Sequence, residues 1–140
     1  MKTILAAVDG SDPSNRAVRM AANLAVHFGA ELTLVNVVEP MLIPPGVSGP
    51  LLVQIDEDRH RQAQQLLSDT ERKIEEPGII IHRALMDGQA ADGIAELATS
   101  QAFDLVVVGS RGRGAAKRVL LGSVSDRLAH ICERPILIVR

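Results

Sequence analysis

The residues best suited to chemistry form a glycine-rich, basic segment that runs from Gly109 to Ser123. It directly follows residues 104–108, which read Asp-Leu-Val-Val-Val. An apolar run that ends in such a segment predicts a strand, a loop and the start of a helix. Backbone N–H groups converge at a junction of this kind, and the helix N-terminus adds about half a positive charge. The segment is therefore a candidate phosphate-binding loop.

The spacing of the glycines excludes two common nucleotide loops. It reads Gly109-x2-Gly112-x9-Gly122-Ser123. It lacks the Gly-Lys-Ser/Thr of a P-loop, and it follows the fourth apolar run, not the first as a dinucleotide fingerprint does. We expect Gly109 to admit a ribose, Gly112 to take a positive φ, and Gly122 to expose bare backbone to phosphate. Ser123 is a candidate helix N-cap and hydroxyl donor, with Asp126 as its capping-box carboxylate.

Short aliphatic runs alternate with helical patterns along the chain. The predicted strands are 4–8, 32–38, 79–85, 105–108 and 136–139. The predicted helices are 12–28, with Asp12 as its N-cap, then 56–76, 90–102 and 123–132. This alternation predicts an α/β domain with a five-stranded, parallel, doubly wound sheet of order 3-2-1-4-5 and four helices on both faces. The more mixed third run is expected at an edge of the sheet.

The predicted strand order places two polar segments at one crevice. Strands 1 and 4 are neighbours in that order, and the winding reverses between them. Ligands of open α/β sheets bind at such a reversal, outside the carboxyl ends of the strands. Strand 1 ends at Asp9, so this carboxylate is expected beside the glycine loop. The proline-rich stretch from Glu39 to Pro50 is expected to be irregular, either a lid or partner contact or a plain surface loop.

Composition narrows the classes of partner and the compartment. A net charge of −2 disfavours a dedicated nucleic-acid binder, and a chain without Trp or Tyr lacks the aromatic platforms of single-strand binders. The single cysteine, Cys132, allows no internal disulfide and suits a reducing compartment. No apolar run has the length of a signal peptide or a membrane span. We therefore expect residues 1–140 to be one cytoplasmic domain that binds neither nucleic acid nor membrane.

The glycine spacing resembles the ATP-binding motif of the universal stress protein family. Residues 4–11, Ile-Leu-Ala-Ala-Val-Asp-Gly-Ser, are similar to that family's first strand. Residues 134–139, Arg-Pro-Ile-Leu-Ile-Val, are similar to its last strand. The resemblance covers essentially the whole chain, and the loop motif is specific to the nucleotide-binding branch of the family.

The resemblance implies that an adenine nucleotide, ATP or else ADP or AMP, occupies the crevice. It implies that Asp9 lies near the adenosine and that the backbone of Val37 or Val38 faces the base. The residues that it assigns to the ribose and phosphates are Gly109, Ser110, Arg111, Gly112, Gly122, Ser123 and Val124. It also implies a homodimer formed through the last strand, which agrees with the short apolar edge from Ile136 to Val139.

The charged residues of the crevice suit binding better than catalysis. Positive charge beside a triphosphate is available from Arg111, Arg113, Lys117 and Arg118. Asp9 and Asp12 could assist a Mg²⁺ ion held mainly by the phosphates. The sequence shows no paired carboxylates, no metal-ligand spacing and no nucleophile with a base, so any hydrolysis of ATP is expected to be slow.

Three functions remain open at this point. The first is an ATP-binding regulatory module of the stress response that acts through a homodimer or a further protein partner. The second is an enzyme that uses the same crevice, a slow ATPase or a nucleotidyl transferase. Residues 9–14 read Asp-Gly-Ser-Asp-Pro-Ser, not the Ser-Gly-Gly-x-Asp-Ser of ATP pyrophosphatases, which disfavours it. The third is a nucleotide-free dimerisation module, which the intact glycine loop disfavours.

Overall fold

A computed structural model describes residues 1–113 and 120–140. The expectations for Lys117 and Arg118 fall on residues 114–119 and so lie outside the described residues. The strands are β1 (Thr3–Ala7), β2 (Glu31–Val38), β3 (Ile81–Asp87), β4 (Leu105–Gly109) and β5 (Ile136–Val139). The helices are α1 (Asp12–Phe28), α2 (Gly49–Arg72), α3 (Ala90–Ser100) and α4 (Ser123–Ile131).

The strands of the described ranges form a five-stranded sheet of order β3-β2-β1-β4-β5. All neighbouring strands are parallel, and Leu5 of β1 lies opposite Thr33 of β2 on one side and Val106 of β4 on the other. The predicted fold class, strand order and helix count are confirmed. The mixed strand β3 lies at an edge, as expected.

Hydrophobic cores cover both faces of the sheet. Ile4 and Ala6 of β1 pack in the core that also holds the buried residues of α1 and Leu67 of α2. Leu5, between them in sequence, packs in the other core with the buried residues of α3 and Leu128 of α4. Successive strand residues point to opposite faces, so a strand covered on both sides must be apolar at nearly every position. This explains the continuous aliphatic runs.

The prediction for α2 is wrong at both ends, because the helix runs from Gly49 to Arg72 and not from 56 to 76. Ser48 is its N-cap, and Pro50 lies in the first turn, where the missing N–H would have had no helical partner. The irregular stretch therefore ends at Ser48, not at Pro50. No helix in the described parts of the chain, α2 included, is long and apolar enough to cross a membrane.

The prediction for β3 is shifted by two residues, since the strand is Ile81–Asp87 and not 79–85. Gly78 has a φ of +81° in the turn at residues 77–78, and residues 79 and 80 lead from this turn into the strand. Pairing with β2 then continues to the contact between Val38 and Asp87. The other boundaries agree with the predictions to within two residues.

Candidate functional site

An open cleft lies over the carboxyl ends of β1, β2 and β4, at the predicted reversal of the sheet. It encloses about 500 Å³ of empty space, counting the part open to solvent. The side of the cleft nearest α3 and α4 is aliphatic, and its residues are Val35, Val37, Ile94, Val108 and Val124. A flat ring can be held between such side chains by dispersion and burial, without aromatic stacking.

The cleft continues towards α2 as a wider, more polar space. Asp9, Asn36 and Val37 line both parts. Val38, Glu39, Arg59 and Leu66 line only the second. Asp9 therefore stands where the aliphatic slot meets the polar opening.

Asp9 also lies against the glycine loop, as the strand order predicts. Its Oδ1 accepts a hydrogen bond from the Ser11 amide at 2.8 Å. Its Oδ2 lies beside Gly112, since a Cβ added to Gly112 would be only 3.0 Å from this oxygen. The Ser11 hydroxyl donates to the Arg111 carbonyl at 3.4 Å, which links the two segments a second time. The ends of β1 and β4 thus form one continuous polar surface.

The structure gives two of the glycines different roles from those expected. A Cβ at Gly109 would lie 2.7 Å from the Pro13 carbonyl carbon and 2.7 Å from the Ser14 nitrogen. Gly109 therefore makes room for the start of α1, and its contact with a ribose stays a prediction. The expected positive φ at Gly112 is wrong, because the left-handed glycines lie elsewhere in the described chain. Gly112 is instead needed for its small size beside Asp9.

The two ends of the glycine loop are held together by hydrogen bonds at its base. The Gly122 amide donates to the Ser110 carbonyl at 2.7 Å. The buried Ser125 hydroxyl lies 2.8 Å from the Ser110 carbonyl oxygen and 3.1 Å from the Gly122 carbonyl oxygen, so its one proton can be donated to either or shared between them. The Ser110 amide donates to the Val139 carbonyl of β5 at 2.7 Å. The base of the loop is therefore tied to α4 and to the sheet.

Helices α1 and α4 each start one residue earlier than their predicted N-caps imply. Ser11, not Asp12, is the N-cap of α1, and its hydroxyl accepts from the Ser14 amide at 3.3 Å. Gly122, not Ser123, is the N-cap of α4, and no side chain of the described residues caps this end. The predicted capping box of Ser123 and Asp126 is wrong, because the Asp126 amide donates to the Gly122 carbonyl. Ser123 is exposed at the first position of the helix.

The structure gathers the predicted residues around one cleft, although they occupy different parts of it. Asp9, Val37, Gly109, Arg111, Gly112 and Val124 line the cleft itself. Val38 and Ser123 line the adjoining openings, and Ser110 and Gly122 form the base of the loop. Sequence reasoning missed Ser14, Asn36 and Ser125, which also line the cleft. The sequence offered one signal for the two serines. Ser14 and Ser125 each lie three residues after the N-cap residue of a helix, in the first turn, where the helix faces the cleft.

Helices α3 and α4 are tied together beside the cleft by an ion pair. The Arg127 guanidinium binds both carboxylate oxygens of Asp92, at 2.7 and 3.0 Å. These hydrogen bonds hold the pKa of Asp92 below its ordinary value. The Glu39 carboxylate accepts from the Ala90 amide at 3.3 Å, which places negative charge at the start of α3.

The described residues contain no cluster of three or more His, Cys, Asp or Glu side chains that could hold a metal ion by itself.

Helix α2 is attached to the sheet by a histidine whose two ring nitrogens both face oxygen acceptors. His60 Nδ1 is 2.8 Å from the Asp56 carbonyl oxygen, and Nε2 is 2.5 Å from Asp87 Oδ1. Only the protonated ring can donate to both. The backbone hydrogen bond to Asp56, followed by that to the Asp87 carboxylate, raises the pKa of His60 above its ordinary value of 6.5.

We expect this contact to make the stability of the protein depend on pH. A raised pKa in the folded state means that the contribution is complete below about pH 6.5 and is lost as the pH rises through the folded pKa. The free energy of unfolding of wild type minus that of His60→Gln should therefore be larger at about pH 6 than at about pH 9. Urea unfolding at both pH values measures it. Asp87→Asn removes the carboxylate partner, so it should shrink the change of this stability difference between the two pH values. If the stability difference between wild type and His60→Gln is the same at both pH values, the expectation is contradicted.

Comparison with known proteins adds the following similarities. A family model described as the universal stress protein family matches residues 1–140. Universal stress protein MJ0531 of Methanocaldococcus jannaschii is 33% identical over 142 residues, which cover 99% of this chain and 82% of that protein. Universal stress protein YxiE of Bacillus subtilis is 33% identical over 144 residues, covering 98% and 97%.

Solved structures with the same fold include two nucleotide complexes. Universal stress protein UspA from Lactobacillus plantarum has a TM-score of 0.88 at 22% identity, covering 99% of this chain and 97% of that one. A universal stress protein solved in complex with cAMP has a TM-score of 0.74 at 26% identity, covering 99% and 97%. A protein from Archaeoglobus fulgidus solved with dAMP has a TM-score of 0.67 at 20% identity, covering 100% and 98%.

Proposed function

The chain belongs to the universal stress protein family, and we propose that it is an ATP-binding regulatory protein of that family. The observation that carries the proposal is the contact of Asp9 with Gly112 at the carboxyl edge of the sheet. It joins a carboxylate acceptor to a glycine loop and a helix N-terminus within one cleft. This combination suits a ligand with hydroxyl groups at its centre and phosphates at one end.

An adenine nucleotide fits the order of groups along the cleft. The base lies in the aliphatic slot, where Val37, Ile94 and Val124 replace aromatic stacking. The ribose lies at Asp9, and the phosphates lie along Gly112 and the first turn of α4. A Mg²⁺ ion is held mainly by the phosphates. The relative that was solved in complex with cAMP, at 26% identity, supports an adenine nucleotide as the ligand.

We infer that the protein holds ATP and hydrolyses it slowly if at all. Fast phosphoryl transfer needs a group that orients or deprotonates the attacking nucleophile. Among the described residues of the glycine loop, the polar groups include backbone amides, the guanidinium groups of Arg111 and Arg113 and the hydroxyl of Ser123, which can donate hydrogen bonds to phosphate. In the proposed arrangement the carboxylate of Asp9 faces the ribose, not an attacking nucleophile. The nucleotide therefore acts as a signal that is passed on through the protein's surface.

We propose that the 140 residues act as one unit that pairs with a second copy through β5. The two edges of the sheet differ in character. Edge strand β3 exposes His82 and Arg83, which bind Glu31 and Glu71 of neighbouring elements. Such charges oppose strand pairing, whereas the Ile136–Val139 edge is aliphatic and half-buried along its whole length. A homodimer or a further protein partner covers that edge.

Calorimetric titration tests the proposed function. The protein is unfolded, freed of carried nucleotide, refolded and titrated with ATP, adenosine and GTP in the presence of Mg²⁺. We expect ATP to bind at least about tenfold more tightly than adenosine, since contacts to phosphate of about 1.4 kcal/mol suffice for that ratio. An absence of binding by ATP would refute the proposal. Equal affinities for ATP and adenosine would show that the loop does not contribute to binding through phosphate.

A further inference from the structure

We infer that Ser14 and Asn36 are positioning residues that hold the Asp9 carboxylate for a ribose hydroxyl, so that the site selects ribonucleotides over deoxyribonucleotides. The inference rests on the proposed function. Neither residue belongs to the glycine loop, and their partners are backbone groups at the end of β1. Both residues also line the cleft, but these polar groups are bonded to the backbone next to Asp9, so they act on the sugar through Asp9.

Ser14 binds the backbone on both sides of Val8. It is the third residue of α1, and it is buried, with 3% of its surface exposed. Its hydroxyl donates to the Ala7 carbonyl at 3.1 Å and accepts from the Asp9 amide at 3.1 Å. The Ser14→Ala substitution removes both bonds at once and leaves the part-buried Asp9 N–H without this acceptor.

Asn36 binds the carbonyl end of the peptide group between Val8 and Asp9, whose amide end binds Ser14. Its Nδ2 donates to the Val8 carbonyl at 2.6 Å, from β2. The backbone ladder between β1 and β2 has its last bond at the Val8 amide, which donates to the Val35 carbonyl. The side chain of Asn36 thus adds one more link where the strands separate.

Together these bonds define where the carboxylate stands. The Val8 carbonyl and the Asp9 amide belong to one planar peptide group, so bonds at both its ends fix the plane from which the Asp9 side chain leaves. The Ser11 amide then fixes the orientation of the carboxylate through Oδ1. An ionised carboxylate has about four lone-pair positions and accepts only, so it keeps capacity for hydroxyl donors.

The place of Asp9 in the cleft makes the sugar its target. Asp9 lines both the aliphatic slot and the polar opening, and its Oδ2 lies beside Gly112. A nucleotide with its base in the slot and its phosphates at the loop must pass its sugar across this carboxylate. A 2′-deoxy or 3′-deoxy sugar offers one donor fewer to it.

The test compares ATP with 2′-deoxy-ATP and 3′-deoxy-ATP by calorimetry. We expect wild type to prefer ATP over at least one deoxy analogue by about tenfold, the value of one hydrogen bond to a charged group. Ser14→Ala and Asn36→Leu should reduce that ratio to about twofold or less. The two substitutions lie at different sites, so failure of Ser14→Ala to fold leaves Asn36→Leu to decide.

Ser125→Ala is the matched control, because it removes another buried serine hydroxyl on the opposite side of the cleft. It should weaken ATP and the deoxy analogues equally and keep the ratio of wild type. If Ser14 only supports the fold, Ser14→Ala would likewise weaken ATP and the deoxy analogues equally and leave their ratio unchanged. An unchanged ratio in Ser14→Ala and Asn36→Leu, or a wild-type ratio near one, overturns the inference while ATP binding still stands. If wild type does not bind ATP, the proposed function fails and the inference falls with it.

Discussion

Replacing Gly109 with alanine is expected to lower the melting temperature by about 10 °C, the largest stability effect of any single methyl group that we foresee in this chain. The added Cβ would lie 2.7 Å from the Pro13 carbonyl carbon and from the Ser14 nitrogen. Both are backbone atoms, so no rotation of a side chain can relieve the clash. Either β4 or the start of α1 must move, at about 3 kcal/mol. Thermal unfolding followed by circular dichroism measures it.

Gly93→Ala provides the matched control, because it adds the same methyl group at a buried glycine on the opposite face of the sheet. A Cβ at Gly93 would lie 3.5 and 3.6 Å from the γ carbons of Val37, which is ordinary contact. Gly93 is inside α3, where alanine is favoured over glycine by about 1 kcal/mol. We expect the melting temperature of Gly93→Ala to rise by about 3 °C. If both variants melted like wild type, the close packing of Gly109 on α1 would be refuted.

Replacing Gly122 with valine is expected to weaken ATP binding about 100-fold, a loss of about 2.7 kcal/mol, with a small change in melting temperature. From the sequence, the expected reason is a side chain in the path of the phosphate. The structure supplies a different one. A Cβ at Gly122 would lie 3.1 Å from Arg111 Cα and 3.4 Å from the Gly112 nitrogen. Valine would therefore push apart the two arms of the loop that the bond from Gly122 to Ser110 joins.

Affinities for ATP and adenosine distinguish this effect from general damage. The loop contacts phosphate in the proposed arrangement, so Gly122→Val should keep adenosine affinity within about threefold of wild type while ATP affinity collapses. Gly49→Val is the control substitution, since a Cβ at Gly49 meets nothing within 4 Å and its φ is not left-handed. It should bind ATP like wild type. Retention of ATP affinity by Gly122→Val would show that the loop geometry does not control phosphate binding.

Much of the fold could be predicted because its signals are local. The strand Ile136–Val139 agrees with the prediction at both ends, because it is one short apolar run, and α1 ends where predicted, at Phe28 before Gly29. The start of α2 was not predictable in this way. Pro50 is compatible with both an irregular loop and the first turn of a helix, and packing of the helix on the sheet decides between them.

The order of apolar runs and helical patterns establishes the α/β topology, and with it the edge of the sheet where Asp9 and the glycine loop meet, because the connection rules of parallel sheets leave few topologies. The contacts that hold those groups become visible in the folded structure alone. Asn36 reaches the Val8 carbonyl from 28 positions away in sequence. Gly109 makes room for α1, which lies far from it along the chain. Such roles depend on distances between elements, and a pattern along one chain carries no distances between elements.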